Sequence, residues 1–217
     1  MDTVFSWMPQ LLLGTGITCM LTVVSMAIAL VLGLLIALAR YDRKRWYTYI
    51  PFTCLVELIR GTPLLLQLFY LFYVLPLIGL RLAAIPTAII GLSLNYGCYL
   101  SEVYRSGINA IAKGQWESAA ALSLPTSITW RHIVLPPAIR IVVPALGNYF
   151  IGLFKDTSLV STIAVTDLMF SGTLIAAQNF QYFAVYTVVA LIYLAISLPS
   201  SQGVKWLERR LGKSQMA

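Results

Sequence analysis

Charged side chains are scarce in this 217-residue chain, at 11%, where a soluble domain carries roughly 25%. Acidic residues are scarcer still, 8 against 15 Lys and Arg. So little charge excludes a water-soluble globule with a solvated surface. There is one histidine, His132, and three cysteines, Cys19, Cys54 and Cys98, each alone in an apolar stretch. That set excludes a disulfide framework and offers no metal-ligand spacing. The cysteines are expected to act as small buried apolar groups, and His132 as an interfacial residue. No Ser/His/Asp set, paired carboxylates or metal-spaced cluster is present, so no catalytic or metal site is expected. No G-x(4)-G-K-[ST] loop occurs, which excludes a built-in cradle for nucleotide phosphates. Ser/Gly-rich linkers and low-complexity tracts are also lacking, so one domain over residues 1–217 is expected.

What is abundant is apolar. Hydrophobic residues make up 59% of the chain, and the mean hydropathy is +0.82. This excess cannot be hidden in one core and must face lipid. A helix needs about 20 apolar residues to cross a bilayer. Five stretches meet or approach that: Leu11–Ala39, Pro63–Leu80, Leu82–Leu100 with an extension, Ile139–Phe154 and Phe183–Val204. The first is too long for a secretory signal and follows a start with Asp2 and no basic residue, so it is expected to stay in the membrane. The shorter piece Leu159–Phe170 is expected to be a re-entrant or interfacial helix.

Basic residues orient the spans. Arg40, Arg43, Lys44 and Arg45 follow the first; Arg105, Lys113, Arg131 and Arg140 lie between the third and fourth; Lys205, Arg209, Arg210 and Lys213 follow the fifth. Twelve of the fifteen basic residues thus fall in three alternate loops, and only Arg60, Arg81 and Lys155 fall elsewhere. This predicts an all-α polytopic fold of five transmembrane helices, with the N-terminus periplasmic and the C-terminus cytoplasmic. Basic residues clustered between apolar runs exclude nucleic acid as a partner. The five Trp and twelve Tyr are expected to form interfacial belts.

The second span carries a break at Glu57-Leu-Ile-Arg60-Gly61-Thr62-Pro63. Gly61 disfavours continuation, Thr62 is a good N-cap, and Pro63 suits a first helical position. Glu57 and Arg60 are three apart and can meet on one helix face. Two roles stay open: an ion pair beside a helix start, or packing against a cytoplasmic partner or neighbouring helix. Among intramembrane polar residues, which are functional candidates by default, Asn95, Asn148, Lys155 and Asp156 are candidates for a solute pathway. Asp156 or Thr157 is equally placed to cap the helix that follows. Glu102 and Arg105 are expected to form a local ion pair, and Asp167 to face the periplasm.

The stretch between the third and fourth spans is the informative one. Gly114 is expected to stop a helix; a short helix with three consecutive alanines follows, and Pro125 closes it. From Glu117 the chain reads E-x-A-x-x-x-(small)-x(9)-I-x-L-P, ending at Ile133, Leu135 and Pro136. A solvated loop helix fits the composition. The spacing, however, resembles the EAA loop of membrane subunits of binding-protein-dependent ABC importers. Ser118 stands where Ala is usual and Ser123 where Gly is usual; both are small, but Ser123 weakens any expectation of a Gly-only backbone conformation.

Four further stretches, Glu57–Gln67, Ser93–Glu102, Lys113–Glu117 and Lys155–Val160, resemble the polar amino acid branch of that family, with likeness over roughly residues 10 to 210. The resemblance implies a permease of the inner membrane, in contact with lipid, working as a dimer with itself or a homologous subunit. A separate ATPase would use ATP and Mg, and this chain would hold no cofactor. A periplasmic substrate-binding protein would deliver the solute. The coupling loop, residues 113–137, would dock the ATPase through Glu117, Ser118, Ala119, Ala120, Ser123, Leu124, Ile133, Leu135 and Pro136. Closely similar permeases carry amino acids of several kinds, compatible solutes such as ectoine, or opines. A channel or a membrane-embedded enzyme are the rival classes.

Overall fold

The computed structural model describes residues 2–212, with side chains resolved from Phe5 to Arg210; Lys213 lies outside them. The described residues are helical with short turns. α1 (Asp2–Ala39), α2 (Trp46–Arg60), α3 (Leu64–Phe69), α4 (Ala84–Asn109), α5 (Lys113–Ala121), α6 (Thr126–Ile128), α7 (Leu135–Asp156), α8 (Leu168–Asn179) and α9 (Tyr182–Gly212) follow in order. A π-helical turn at Tyr70–Val74 and a 3₁₀ turn at Leu75–Ile78 prolong α3, and Thr129–Val134 joins α6 to α7 by a second π-helical turn.

Among the described residues, three segments are long and apolar enough to cross a membrane: Phe5–Ala39, Thr126–Ile163 and Tyr182–Arg210. A fourth is formed if α2 and the α3 segment count together, although they meet at 105° across the Gly61–Pro63 break. The helix expected before that break, carrying Glu57 and Arg60, is α2, which ends at Arg60. α4 is long enough but not apolar enough to join this set. Its position explains why. Twelve of its 26 residues are buried, so it meets neighbouring helices rather than lipid and tolerates Ser93, Asn95 and Ser101.

Apolar contact between helices gains little in lipid, so close backbone approach and hydrogen bonds hold such bundles. α1 crosses α4 where Gly33 faces Gly97; a Cβ on Gly33 would lie 2.9 Å from the Gly97 carbonyl oxygen and 2.9 Å from Leu100 Cβ. Ser93 donates to the Ser25 carbonyl at 3.3 Å, and Tyr104 to that of Leu30 at 3.3 Å. α7 lies on another side of α4, with Val142 Cγ2 2.3 Å from where a Gly107 Cβ would sit. At the other end of α1, Trp7 and Leu11 pack with Leu168 and Ile175 of α8 and Val185 and Val189 of α9. Phe183, Leu191, Leu194 and Leu198 of α9 and Leu12, Leu13, Val31 and Leu38 of α1 remain exposed, as surfaces facing hydrocarbon do.

Several local expectations are corrected. Leu159–Phe170 is not one helix: a 3₁₀ segment, Thr157–Ile163, ends at Ala164 (φ 59°), and α8 begins only at Leu168. Asp167 does not face solvent. It is fully buried and caps α8, accepting from the Phe170 N–H at 2.9 Å. Its Oδ2 finds no partner, and burial pushes its carboxyl up to about 6. Gly114 does not stop a helix but lies in the first turn of α5. Cys54 is exposed on α2, whereas Cys98 is buried.

Candidate solute cavity and coupling surface

The break after α2 is closed by side chains. Thr62 does not cap α3; its hydroxyl donates backward to the Leu58 carbonyl at 2.9 Å, satisfying a carbonyl that α2 leaves open at its end. Gln67, one turn into α3, donates through Nε2 to the Ile59 carbonyl at 2.7 Å and the Thr62 carbonyl at 3.1 Å. Its Oε1 accepts from Asn95 Nδ2 of α4 at 3.0 Å. One glutamine thus straps the 105° bend and ties it to the bundle's central helix. Arg60 does not pair with Glu57. Its guanidinium lies over the Tyr99 ring, 5.4 Å from the centroid.

These contacts border an open cavity of about 470 Å³ lined by the break itself, by Asn95, Tyr96 and Tyr99 of α4, and by Tyr149 and Asp156 of α7. Tyr96 donates its hydroxyl to Asp156 Oδ2 at 2.8 Å, and so replaces the capping role expected of Asp156. Thr157 turns back to the Phe154 carbonyl at 2.7 Å. Among the four candidate pathway residues, Asn95 and Asp156 are brought together here. Asn148 is exposed and reaches Glu208 of α9 at 3.4 Å, while Lys155 is exposed; neither lines the cavity. The cavity presents a guanidinium, a carboxylate, an amide and phenol edges within one small volume. That chemistry fits a small solute carrying both charges.

Arg60 and the tyrosines were missed as cavity residues, because nothing in a linear reading separates a Tyr facing inward from one in an interfacial belt. The i, i+4 spacing of Asn95 and Tyr99 is the signal that links them.

A second polar feature lies below. Glu102 pairs with Arg105 at 3.2 Å, as expected, and also with Arg40. Arg40, read as a loop charge, is only 3% exposed; its Nε donates to Thr53 of α2 at 3.1 Å. One carboxylate and one guanidinium thereby tie α1, α2 and α4.

The candidate coupling segment, residues 113–137, has a hidden and an open side. Ala119 is buried, and Trp116 stacks edge-on to Trp130 at 5.6 Å above Ile111, Val134 and Ala138. Glu117, Ser118, Ala120 and Ser123 are exposed, and Leu122 is 71% exposed. Leu124, Ile133 and Pro136 are half-buried, and Leu135 is exposed, where the chain enters α7. His132 is exposed, away from any ligand set. α5 ends with Ser123 in the left-handed region at φ 50°. The Ser123 N–H donates to the Ala120 carbonyl at 2.9 Å and the Leu124 N–H to that of Ala119 at 3.1 Å, the paired bonds of a Schellman stop. The conformation that glycine favours is therefore present despite the serine.

The chain matches the model of the binding-protein-dependent transport system inner membrane components over residues 5–213. It is 38% identical over 208 residues to the "Probable amino-acid ABC transporter permease protein y4tG" of Sinorhizobium fredii, covering 96% of this chain and 90% of that one. It is 39% identical over 209 residues to the L-cystine transport system permease protein TcyB of Bacillus subtilis, covering 96% and 89%. Among solved structures, an amino acid ABC transporter crystallised with histidines aligns at TM-score 0.92 and 32% identity over 96% of this chain and 97% of that one. The MetNI methionine transporter shares the fold, at TM-score 0.75 and 18% identity over 94% and 97%. With family and fold agreeing over nearly its whole length, the chain belongs to the inner membrane components of binding-protein-dependent transport systems, as a transport subunit rather than an enzyme.

Proposed function

We propose that this chain forms half of the translocation path of an ATP-driven importer and carries a polar amino acid through the cavity beside the α2–α3 break. The observation that carries this is the joint lining of that cavity by Arg60, Asn95 and Asp156: an amino acid needs a cation for its carboxylate and an anion for its ammonium. Cystine, glutamine and histidines in the names of similar proteins favour amino acids over ectoine or an opine. The chain works as a single domain of five spans with a periplasmic N-terminus and cytoplasmic C-terminus. The α2–α3 pair is the second span, and α4, about 39 Å long at 1.5 Å per residue, is the third, shielded from lipid by its neighbours. The alternation of basic loops supports this orientation.

Residues 113–137 serve as the coupling loop. The exposed face of α5, with Glu117, Ser118, Ala120, Ser123 and the projecting Leu122, docks the ATPase, which uses ATP and Mg itself. Its hidden face, through Trp116 and Trp130, transmits the push to α7, whose other end carries Asp156. A second permease, identical or homologous, completes the path, and a periplasmic binding protein delivers the solute.

The test is uptake of labelled glutamine and cystine by the reconstituted complex with its binding protein. Asp156→Asn and Asn95→Ala are expected to lower uptake at least tenfold while the ATPase stays bound. Uptake at the wild-type rate in both variants contradicts the assignment of this cavity.

A further inference from the structure

Next to the cavity at the break lies a second, of about 250 Å³. The two share three lining residues, Arg60, Tyr99 and Tyr149. Asn95 and Asp156 line only the first; Glu102, Ser106 and Ala145 line only the second. Helix register accounts for this. Asn95, Tyr99, Glu102 and Ser106 are spaced four, three and four apart on one face of α4, and Ala145, Tyr149 and Asp156 four and seven apart on one face of α7. The helices run antiparallel, since Tyr96 meets Asp156 and Gly107 meets Val142. The cavities are therefore successive parts of one groove, interrupted where the Tyr99 and Tyr149 rings approach to 6.2 Å between centroids and Arg60 covers Tyr99.

We propose that Arg60, Tyr99 and Tyr149 form an inner gate dividing one solute path into a holding chamber beside Asp156 and a release chamber beside Glu102. This rests on the cavity being the solute's. The chambers differ in charge. The holding chamber matches one guanidinium with one carboxylate. In the release chamber the Glu102 carboxylate is already taken by Arg40 and Arg105, and Arg60 adds a third guanidinium. Three guanidiniums there surround one carboxylate, so an ammonium is held less strongly than beside Asp156 and the chamber passes a zwitterion on. Arg60 is the last residue of α2; a small change in the bend lifts it off Tyr99 and frees the rings. The closure is made by ring packing and one cation over a ring face, and opening it breaks no ion pair.

The test uses the full complex in vesicles, without ATP or binding protein, on a background with Cys19, Cys54 and Cys98 replaced by serine. A cationic methanethiosulfonate is added to the face from which Ser106→Cys, in the release chamber, reacts. Leu64→Cys, which lines the holding chamber, is expected to be protected from that face. Tyr99→Ala and Tyr149→Ala should each raise its labelling rate at least tenfold, and Tyr149→Phe should leave it protected. Labelling as fast as at Ser106→Cys with the gate intact, or a rate unchanged by both alanines, overturns the proposal. If an alanine variant loses its ATPase on purification, Tyr99→Leu and Tyr149→Leu replace it and are read by the same two outcomes. Labelling needs no solute, so it is independent of the uptake assay: normal uptake in Asp156→Asn removes the solute assignment and leaves the gate, and the reverse holds.

Discussion

Breaking the Arg40–Glu102 pair should destabilise the bundle by an amount that its burial sets. Arg40 is 3% exposed and Glu102 30% exposed, and Arg40 also holds Thr53, so the pair joins three helices. Removing one partner of a fully buried pair costs about 3–5 kcal/mol. Arg40→Met leaves Glu102 with Arg105 at 3.2 Å and some contact with solvent, which reduces the expected loss to about 2 kcal/mol. Glu102→Gln leaves the more deeply buried Arg40 without its counter-charge and should cost about 3 kcal/mol. The double variant removes both and should lose well under the sum, giving a coupling energy of about 2 kcal/mol. For a chain of this size 2 kcal/mol corresponds to a shift of roughly 4–8 °C in Tm. Thermal unfolding of the four proteins, purified with the ATPase, measures the cycle. Additive losses, with a coupling energy below about 0.5 kcal/mol, would refute the view that this pair ties α1 to α4.

Ser123 holds a left-handed backbone (φ 50°); Ser123→Gly should relieve about 1 kcal/mol, seen as roughly fivefold slower amide exchange at residues 122–124. Gly33→Ala places its Cβ 2.9 Å from a backbone oxygen of α4 and should cost about 1–3 kcal/mol. Gly16→Ala, with open space at its Cβ, should gain about 0.5–1 kcal/mol instead; equal Tm shifts for the two would contradict the crossing. Asp167 has a folded pKa of about 6, raised from an ordinary 3.8, so its contribution is intact below pH 3.8 and lost as pH rises through 6. Asp167→Asn keeps the cap acceptor without the charge and should stabilise the protein by about 1–3 kcal/mol at pH 7.5, with the gain vanishing towards pH 4.

The membrane class, the helical fold and the family were legible because each rests on a pattern many residues long: the apolar runs, and the spacing from Glu117 to Pro136. Detail set by contact across the bundle was not. α4 could be located from Leu82–Leu100, but its lower hydropathy looks like a weak span until its burial against other helices is seen. Arg40 sits in a basic cluster and reads as a solvated charge; only the fold brings Glu102, 62 positions away, to meet it. Asp156 and Thr157 carry good capping chemistry, and the competing partners, Tyr96 and the Phe154 carbonyl, are a matter of geometry. Ser123 shows the opposite case, where the backbone keeps its turn although the residue type argues against it.

The central claim is that the open face of α5 couples an ATPase to the solute cavity. Solute-stimulated ATPase activity of the complex in lipid tests it most directly, comparing wild type with Glu117→Arg and Leu122→Asp. Both side chains project from the surface, so neither change disturbs the packing of Trp116 and Trp130. The account predicts that stimulation and transport are lost in both variants while membrane insertion and thermal stability are kept. Full stimulation in both, with normal transport, would mean that residues 113–137 only connect two helices, and would contradict the claim.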